Sequence, residues 1–397
     1  MPHSRKRHVL PLFLSRLKLS RVIAVQGCRQ SGKSYFSKKI LTQELPGALY
    51  RTFDNADEYH LAQDAPDSYL AQYTQSKPLI IDEAQKSASI FDAVKFRVDE
   101  NPRPGQYVLL GSTEFSKLLR IRETLTGRMS RIRLFSMNLA EANEKPLLHT
   151  PKDDLIHLFK EKPRFSREIL IRHLERGGFP GIFHIREKGA FEDLLRDWID
   201  LTVFRDLHQF PNIKIDSSLA FEVLQRLATL EEPTAAEVAK ATRRDTRVIQ
   251  RILNLLEVLF VVHKIAPLSL GTGKPRYFLC DVSLVSYFHG TFERKLTTWL
   301  IHEQLSQRSY LDDRDHQLFY YRTTKGSIID LVIVNARTQK IKTAIKTLGK
   351  ERLDRRELEV LKAFSKKLKG ENPKLILFGS TRYREKEFEI FPWESLG

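Results

Sequence analysis

The sequence predicts an α/β fold built on a parallel sheet with helices on both faces. Three short apolar runs, residues 21–26, 79–81 and 107–110, alternate with longer stretches of helical periodicity. Such alternation is typical of parallel strands joined by crossover helices. Ligands of these sheets bind at the carboxyl ends of the strands. Each run is followed by glycine or acidic residues, so we expect the functional site at that edge.

Length and composition indicate a soluble chain of two to three domains. The chain has 397 residues, of which 41% are apolar and 29% charged, and a domain takes about 150 residues. No uninterrupted apolar run reaches the roughly 18 residues of a membrane span, which argues against membrane insertion. The two cysteines, Cys28 and Cys280, cannot form a disulfide framework or a four-cysteine zinc site. We therefore expect a reducing, cytoplasmic environment.

The charge balance favours a polyanionic partner. Lysine and arginine number 66 against 49 aspartates and glutamates, a formal net charge of +17, and no acid precedes Glu44. A basic excess of this kind favours binding to nucleic acid through contacts with its phosphates. The alternative is that the positive charge serves solubility alone. The basic start of the chain lacks the apolar segment and cleavage site of a signal peptide, and it predicts a local helix near residues 9–14.

The first apolar run is followed by a phosphate-binding motif. GCRQSGKS matches the Walker A pattern G-x-x-x-x-G-K-[ST] at every fixed position, between a strand and a helix. Glycines let the backbone amides face the β-phosphate, Lys33 supplies charge to the β and γ oxygens, and Ser34 offers a hydroxyl to Mg²⁺. The predicted nucleotide-binding residues of this loop are Gly27, Cys28, Arg29, Gln30, Ser31, Gly32, Lys33 and Ser34.

The next two runs supply polar residues suited to triphosphate hydrolysis. Asp82 would hold Mg²⁺ through its waters, and Glu83 would polarise the attacking water as a general base. Ser112, followed by Thr113, would place a hydroxyl beside the γ-phosphate. Arg128, in the sequence LTGR, would reach the γ-phosphate of a neighbouring subunit, although a lone arginine is usually a surface charge.

Residues 217–288 predict a winged helix. Three amphipathic helices follow one another, the second capped by Thr234 and the third with Val248 and Ile252 inward. Two strands and the turn at residues 271–274 would form the wing. A recognition helix presents basic side chains to phosphates and base edges; the alternative is a packing module with a solvated basic face. The predicted DNA-binding residues are Arg243, Arg244, Arg247 and Arg251.

Together GCRQSGKS, LIIDEAQK, YVLLGST and LTGRMSRIRLF resemble bacterial and archaeal AAA-type ATPases that carry a winged helix and a C-terminal domain related to PD-(D/E)xK nucleases. The resemblance covers nearly the whole chain. It implies that residues 27–34 bind ATP, that Ser112 is the sensor and that Arg128 is the arginine finger. It also implies that Pro180, in GGFP, lies near the adenine, although Gly-Gly and proline alone also end helices.

The resemblance implies that the C-terminal segment is a nuclease-like fold without nuclease activity. Asp330 and Lys346 match the family pattern, but Ala344 stands where the pattern has a metal-binding glutamate. Glu293 or Glu303 would restore one oxygen at most, and Mg²⁺ needs several. The predicted strands are residues 318–322, 327–334, 342–346 and 374–379, with a helix at 353–368.

The complete fold prediction is a P-loop NTPase core of the AAA type (1–145), a helical lid (146–212), a winged helix-turn-helix (213–287) and an α/β restriction-endonuclease-like domain (288–397). The leading hypothesis is an ATPase whose Mg-ATP cycle changes how the C-terminal modules hold DNA. A STAND-like regulator that hydrolyses ATP slowly is the second hypothesis, and an ATP-gated nuclease is the third. A finger acting in trans implies a homo-oligomer, whereas related ATPases are monomers until triggered; the oligomeric state and the identity of any protein partner stay open.

Overall fold

The computed structural model describes residues 5–73, 77–115, 125–147, 163–210, 214–324, 326–350, 355–367, 374–385 and 388–396. The chain divides into two units, which are described separately below. The amino-terminal unit comprises residues 1–137, 179–184 and 258–261, and the carboxy-terminal unit comprises the remainder. Within the described residues, no helix is both long and apolar enough to cross a bilayer. The finer division into four domains stays a prediction.

A five-stranded parallel sheet forms the centre of the amino-terminal unit. Its strands are β1 (Val22–Gln26), β2 (Leu49–Thr52), β3 (Leu79–Asp82), β4 (Tyr107–Gly111) and β5 (Met129–Arg133). They lie in the order β2-β3-β4-β1-β5, and every pairing is parallel. All residues of β1, β3 and β4 are buried, as expected for apolar strands covered on both faces. The predicted parallel sheet is confirmed, and the ends of β1, β3 and β4 share one edge.

One helix precedes the first strand of this sheet, and further helices follow β1, β2 and β3. They are α1 (Leu10–Leu17), α2 (Lys33–Tyr35, continued by the π-helical Phe36–Leu41 and by Thr42–Glu44), α3 (Ala56–Asp64), α4 (Pro66–Ala71) and α5 (Ser89–Glu100). The predicted local helix before the first strand is thus present as α1. One apolar core joins β1, β3 and β4 to α3, α4 and α5. This packing fixes the strand ends from which the site residues project.

The α-helices of the carboxy-terminal unit lie before its first strand and between its later strands. They are α6 (Leu139–Ala142), α7 (Arg167–Arg176), α8 (Lys188–Asp200), α9 (Ser217–Thr229), α10 (Ala235–Thr242), α11 (Thr246–Val258), α12 (Val282–Tyr287), α13 (Phe292–Tyr310) and α14 (Arg355–Lys367). The predicted cap is confirmed, because the Thr234 side chain accepts a hydrogen bond from the Glu237 amide. The inward placement of Val248 is wrong: Val248 is 42% exposed, and Ile249 is buried instead. Ile252 is buried as predicted, so only the first position of the predicted stripe is wrong.

A mixed eight-stranded sheet completes this unit. Its strands are β6 (Val262–Pro267), β7 (Arg276–Leu279), β8 (His316–Arg322), β9 (Ile328–Asn335), β10 (Ile341–Thr347), β11 (Lys374–Gly379), β12 (Tyr383–Glu385) and β13 (Phe388–Pro392). Their order is β12-β13-β11-β10-β9-β8-β6-β7. The ribbon β6-β7 is antiparallel, and β6 also pairs in parallel with β8. The four predicted strands are present as β8 to β11. The sheet also contains β6 and β7, so it spans the predicted domain boundary between residues 287 and 288. The predicted helix is present as α14, while residues 353, 354 and 368 at its predicted ends lie outside the described residues.

Candidate functional site

The loop between β1 and α2 is tightly curled around the Lys33 side chain. The Lys33 ammonium donates to the carbonyls of Gly27 and Cys28, both at 2.9 Å. Gly32 has a φ of +94°, and a Cβ there would lie 3.0 Å from an Arg7 nitrogen. A Cβ at Gly27 would lie 2.0 Å from the Leu134 carbonyl oxygen. Both glycines of the motif are therefore required by backbone conformation or close approach.

A cavity of about 400 Å³ opens at the carboxyl edge of the parallel sheet. Lys33 and Ser34 line it from α2, Glu83 from the end of β3 and Ser112 from the end of β4. Parallel strands that end at one edge bring these distant residues together. Eight of the predicted site residues line the cavity: Arg29, Gln30, Gly32, Lys33, Ser34, Glu83, Ser112 and Pro180. Gly27, Cys28 and Ser31 form the loop but are not among the lining residues.

The acids after β3 are held by specific hydrogen bonds. The two carboxylate oxygens of Asp82 accept from the Tyr50 hydroxyl at 2.8 Å and from the Glu83 amide at 3.0 Å. Glu83 adopts a left-handed φ of +56°. Its carboxylate accepts from the Gln85 amide nitrogen at 2.5 Å, and the same nitrogen lies 3.3 Å from the Ser112 hydroxyl oxygen. Gln85 thus connects the ends of β3 and β4.

Electrostatics couple the lysine to these acids. Burial lowers the pKa of the Lys33 ammonium, and the Glu83 carboxylate acts in the opposite direction. Burial together with the Asp82 carboxylate raises the pKa of the Tyr50 phenol, so Tyr50 remains a hydrogen-bond donor to Asp82. A buried ammonium that faces an open cavity favours an anion there, because a bound phosphate would supply the missing charge.

The oxygen ligands at this edge fit a magnesium ion. Mg²⁺ keeps several waters and is usually held by one or two protein oxygens together with substrate phosphates. Ser34 lines the cavity. Asp82 is not among the lining residues, but it directly precedes Glu83, and within the described part of the chain each of its carboxylate oxygens accepts one protein hydrogen bond. A carboxylate oxygen has two lone-pair sites, so Asp82 retains capacity for water molecules of an ion's hydration shell.

Several cavity residues were not predicted from the sequence. Arg7 donates to the Ser31 carbonyl at 2.8 Å and to the Phe135 carbonyl at 2.7 Å, which ties the loop to the chain beyond β5. The Arg5 guanidinium lies 5.7 Å from the centre of the Phe183 ring, and both residues line the cavity with Pro180. For Arg5 and Arg7, the indication in the sequence is the basic, acid-free amino terminus, which we attribute to nucleic-acid binding on the sequence alone. For Gln85, the indication is its position two residues after Glu83 in the sequence DEAQ.

Arg128 lies elsewhere in the same unit. Its guanidinium makes two hydrogen bonds to the Asp99 carboxylate, at 2.5 and 2.8 Å. Arg21 also lies 3.5 Å from Asp99. Arg128 is not among the residues that line the cavity. Its assignment as a finger therefore requires a neighbouring subunit, and it stays a prediction.

The four predicted DNA-binding arginines lie on the surface of the carboxy-terminal unit. Arg243 follows α10 with a left-handed φ of +53°, and Arg247 and Arg251 are one turn apart on α11. All four side chains are exposed. The antiparallel ribbon β6-β7 follows α11 directly. The arrangement presents a basic face beside a ribbon, with Arg244 in the turn between the two helices.

The predicted nuclease-like residues surround a second cavity, which lies within the carboxy-terminal unit. Asp330 and Lys346 line it together with Glu293, and the Asp330 carboxylate lies 3.5 Å from the Lys346 ammonium. Ala344 is buried in the apolar core. Glu303 is not at the cavity; it accepts hydrogen bonds from the Leu139 amide and the Trp299 indole. Among the described residues, no group of three or more acids, histidines or cysteines is arranged to hold a metal.

Comparison with known families agrees with the motif geometry of the amino-terminal unit. A model of the AAA domain matches residues 19–143, which include Lys33, Glu83, Ser112 and Arg128. This segment is therefore similar to the AAA domain over about the first third of the chain. A second model, which describes a domain of unknown function, matches residues 167–295. The family comparison thus supports an AAA-type ATPase.

Relatives and solved structures extend beyond the AAA domain. Two uncharacterized proteins, from Mycobacterium bovis and Mycobacterium tuberculosis, are each 24% identical over 332 residues, 79% of this chain and 67% of theirs. A Walker-type ATPase of Pyrococcus abyssi is 12% identical, with 72% of this chain and 95% of that chain covered and a TM-score of 0.44. A STAND protein with a tetratricopeptide repeat sensor, from Pyrococcus horikoshii, is 15% identical, with 78% and 47% covered and a TM-score of 0.28. With scores this low, no conclusion rests on either structure.

Proposed function

We propose that the AAA domain binds and hydrolyses ATP in the cavity at the end of the parallel sheet. One observation carries the proposal: Lys33, Glu83 and Ser112 come from three separate segments and line the same cavity. These are the residue types that neutralise a triphosphate, orient the attacking water and contact the γ-phosphate. A turn that contained a lysine by chance would not bring the other two side chains to the same cavity.

Each residue has a separate task in the proposed reaction. The loop amides and Lys33 hold the β and γ oxygens, and Glu83 accepts a proton from the water that attacks the γ-phosphorus. Ser112 hydrogen-bonds the γ-phosphate, while Pro180 and Phe183 offer apolar surface to the base. When bound, Mg²⁺ would neutralise phosphate charge; Ser34 would contact it and Asp82 would hold its waters.

Calorimetry and a hydrolysis assay test this proposal. ATP should bind to the full chain, and Lys33→Ala should weaken binding at least 100-fold, because a charged contact to two phosphate oxygens is lost. Lys39→Ala is the matched control, since Lys39 is an exposed lysine on the same helix that is not at the cavity. Absence of ATP binding, or equal loss in both variants, would contradict the proposal.

We further propose that the carboxy-terminal unit contains a winged helix that holds DNA, and that the nucleotide state changes this hold. The support is the set of exposed arginines on and before α11, the ribbon that follows it, and the net charge of +17. Neutralising phosphates releases counterions, so affinity should fall steeply with salt. We also propose a homo-oligomer, because Arg128 would contact the γ-phosphate that is bound by a neighbouring subunit.

DNA binding is tested with duplex and single-stranded oligonucleotides at several salt concentrations. The double substitution Arg247→Ala with Arg251→Ala should lower affinity and reduce the salt slope by about two. Arg172→Ala is the control, because Arg172 is an exposed arginine on another helix of the same unit. Stimulation of ATP hydrolysis by DNA would support coupling; unchanged turnover at saturating DNA would argue against it.

One observation favours the second candidate, a regulator that hydrolyses ATP slowly. Glu83 lines the cavity, but one oxygen of its carboxylate accepts a hydrogen bond from the Gln85 side-chain amide. A base that accepts a short hydrogen bond is less available to accept a proton from water. Tight ATP retention with little turnover would distinguish this regulator from a fast motor.

The nuclease-like fold without activity also stays a proposal for the C-terminal domain. Its support is the Ala344 methyl group in place of a carboxylate, next to a single buried acid, Asp330. Incubation of plasmid and linear DNA with Mg²⁺ or Mn²⁺ tests it. Cleavage that is lost in Asp330→Ala would overturn the assignment and favour the ATP-gated nuclease.

A further inference from the structure

The cavity beside Asp330 is lined by two buried arginines that the nuclease-like pattern does not include. The cavity measures about 400 Å³. Arg276 comes from β7 and Arg294 from the first turn of α13, and each is only 3% exposed. Asp330 and Lys346 enter from β9 and β10. Four elements from separate parts of the sequence therefore bring three cations and the Asp330 carboxylate to one cavity. Its lining also includes Lys350 and the acids Glu231, Glu293 and Glu357.

The contacts of these arginines leave part of each guanidinium without a hydrogen-bond partner. Arg276 donates to the Glu231 carbonyl, and Arg294 donates to the Leu227 and Tyr277 carbonyls. The Nε and Nη1 atoms of Arg276 and the Nη1 atom of Arg294 are buried and have no acceptor in the described structure. No described carboxylate lies within salt-bridge distance of either side chain. Burial lowers the pKa of both guanidiniums.

The remaining charges of the cavity do not neutralise the arginines. Lys346 is 3.5 Å from Asp330, and Lys350 is 3.2 Å from Glu357. The Asp330 carboxylate oxygen Oδ2 is further engaged by the Thr347 amide and hydroxyl, at 2.8 and 3.0 Å. The other two acids of the described lining, Glu231 and Glu293, are exposed to water. Asp330 is thus the acid that most favours the charged form of both arginines, but it is shared with Lys346 and Thr347. Both guanidiniums also stack on the Phe278 ring, at 5.1 and 4.5 Å from its centre, which supplies no acceptor for the remaining N–H groups.

Buried guanidiniums without a counter-ion are costly, and a bound anion offsets this cost. Arginine forks match the oxygens of phosphate, and the free N–H groups of Arg276 and Arg294 are the donors that such a group requires. The amino-terminal end of α13 lies at the same cavity through Thr291 and Arg294, and its dipole favours negative charge. We propose that this cavity binds a phosphate group, either as free phosphate or as the terminal phosphate of a nucleic-acid strand.

The experiment uses the full chain with Lys33→Ala, so that phosphate does not bind in the loop of the AAA domain. This background makes the test independent of the proposed ATPase function. Inorganic phosphate is titrated at constant ionic strength with chloride as the reference, and binding is followed by calorimetry and by thermal denaturation. We expect phosphate to raise Tm, and we expect Arg276→Met and Arg294→Met each to weaken binding at least tenfold. Arg276→Lys, which keeps charge without the fork, should bind with intermediate affinity.

A matched control lies on the same helix. Arg308 is also a mostly buried arginine of α13, but it pairs with Asp313 and does not line the cavity. Arg308→Met should bind phosphate as the parent protein does. If Arg308→Met does not fold, Arg172→Met, at an exposed arginine, takes its place as the control with the same expected result. The proposal would be overturned if the Lys33→Ala protein bound no phosphate, or if Arg276→Met and Arg294→Met left its phosphate affinity unchanged. Binding of Mn²⁺ that is lost in Asp330→Asn, without any phosphate response, would overturn it in favour of a metal site.

The source of the phosphate is resolved in a second arm. Two single-stranded oligonucleotides of one sequence are compared in the same Lys33→Ala background, one with a 5′-phosphate and one with a 5′-hydroxyl. Tighter binding of the phosphorylated strand, lost in Arg294→Met, supports the proposal and identifies a strand end. Binding of inorganic phosphate with equal affinity for both strands supports it and identifies free phosphate.

Discussion

The two units bury ionisable side chains in different ways. Among the described residues of the amino-terminal unit, the buried ionisable groups of this kind are Arg7, His8, Lys33 and Asp82, and three of them, Arg7, Lys33 and Asp82, lie at or beside the cavity at the end of the parallel sheet. The carboxy-terminal unit distributes its buried groups more widely. They include Glu141, His173, Asp206, His263, Arg276, Asp281, Arg294, His302, Glu303 and Asp330.

The difference shows which charges follow from local sequence. In the first unit, Lys33 takes its contacts from its own motif, Gly27 and Cys28, although Arg7 donates to Phe135, 128 residues away. In the second, partners are distant along the chain: Glu303 accepts from the amide of Leu139, 164 residues away. A buried charge in a local motif, such as Lys33, lies where a bound substrate would neutralise it. Buried charges that tertiary packing brings together are stabilised by backbone groups, by each other or by a ligand that is not yet identified.

The strongest effect should come from the general base of the first unit. Glu83→Gln keeps the shape of the side chain but cannot accept the proton of the attacking water. We expect kcat for ATP hydrolysis to fall by about 10²- to 10³-fold with ATP affinity unchanged, measured by steady-state hydrolysis and calorimetry. Weaker ATP binding with an unchanged kcat would contradict the proposed role of Glu83. It would also weaken the distinction between charges that serve a reaction in the first unit and charges that serve packing in the second.

The second unit should instead show opposing pH effects on stability. Burial raises the pKa of Glu303 to about 7, so its contribution to stability is lost as pH rises from its ordinary value of 4.5 toward 7. Burial lowers the pKa of His173 to about 4, with Asp281 acting in the opposite direction. Its contribution is complete above the ordinary value of 6.5 and is lost as pH falls toward 4. Each effect amounts to roughly 3 kcal/mol.

Because the two pH windows overlap, Glu303→Gln should expose the effect of His173. We expect the free energy of unfolding of this variant to fall by about 3 kcal/mol between pH 7 and pH 4. The wild-type value should change much less over the same range. Urea denaturation at several pH values measures both, and an identical pH profile for the two proteins would contradict the interpretation.

Two arginines on α13 allow a direct comparison of paired and unpaired charge. Arg308→Met leaves the Asp313 carboxylate without its arginine, and both side chains are largely buried, at 19% and 11% exposed. We expect a loss of about 2 kcal/mol in unfolding free energy, below the value for a fully buried pair. Arg294→Met in phosphate-free buffer should change stability by less than about 1 kcal/mol, because relief of desolvation offsets the lost hydrogen bonds. Equal destabilisation of both variants would show that Arg294 is not electrostatically strained.

The smallest expected effect concerns Gln85, which holds the Glu83 carboxylate. Gln85→Ala should raise kcat by roughly three- to tenfold, the size of one hydrogen bond to a charged group. Single-turnover hydrolysis measures this change, and Gln63→Ala, a glutamine near the end of α3 that is not at the cavity, is the control. A fall in kcat would mean that Gln85 positions Glu83 rather than restrains it.

The sequence determined the core of the first unit and its chemistry. The parallel strands, the loop glycines, Lys33, Asp82, Glu83 and Ser112 follow from contiguous motifs, because apolar runs form buried strands and motif residues lie at the strand ends. The strands and helices of the second unit were also predictable from periodicity. The error at Val248 arose because Val248 and Ile249 are four and three residues before the buried Ile252, and both spacings place a side chain on the same helical face. Periodicity alone therefore does not decide between them.

Tertiary structure alone decided the contacts that join distant segments. Arg7 at the nucleotide loop, Gln85 between two strand ends, and Arg276 with Arg294 at the second cavity depend on which elements become neighbours. No local pattern specifies that a basic residue will be buried, since arginine is usually exposed and its burial is set by the packing around it. Whether a charge is solvated, paired or left for a ligand is therefore decided by the assembled fold.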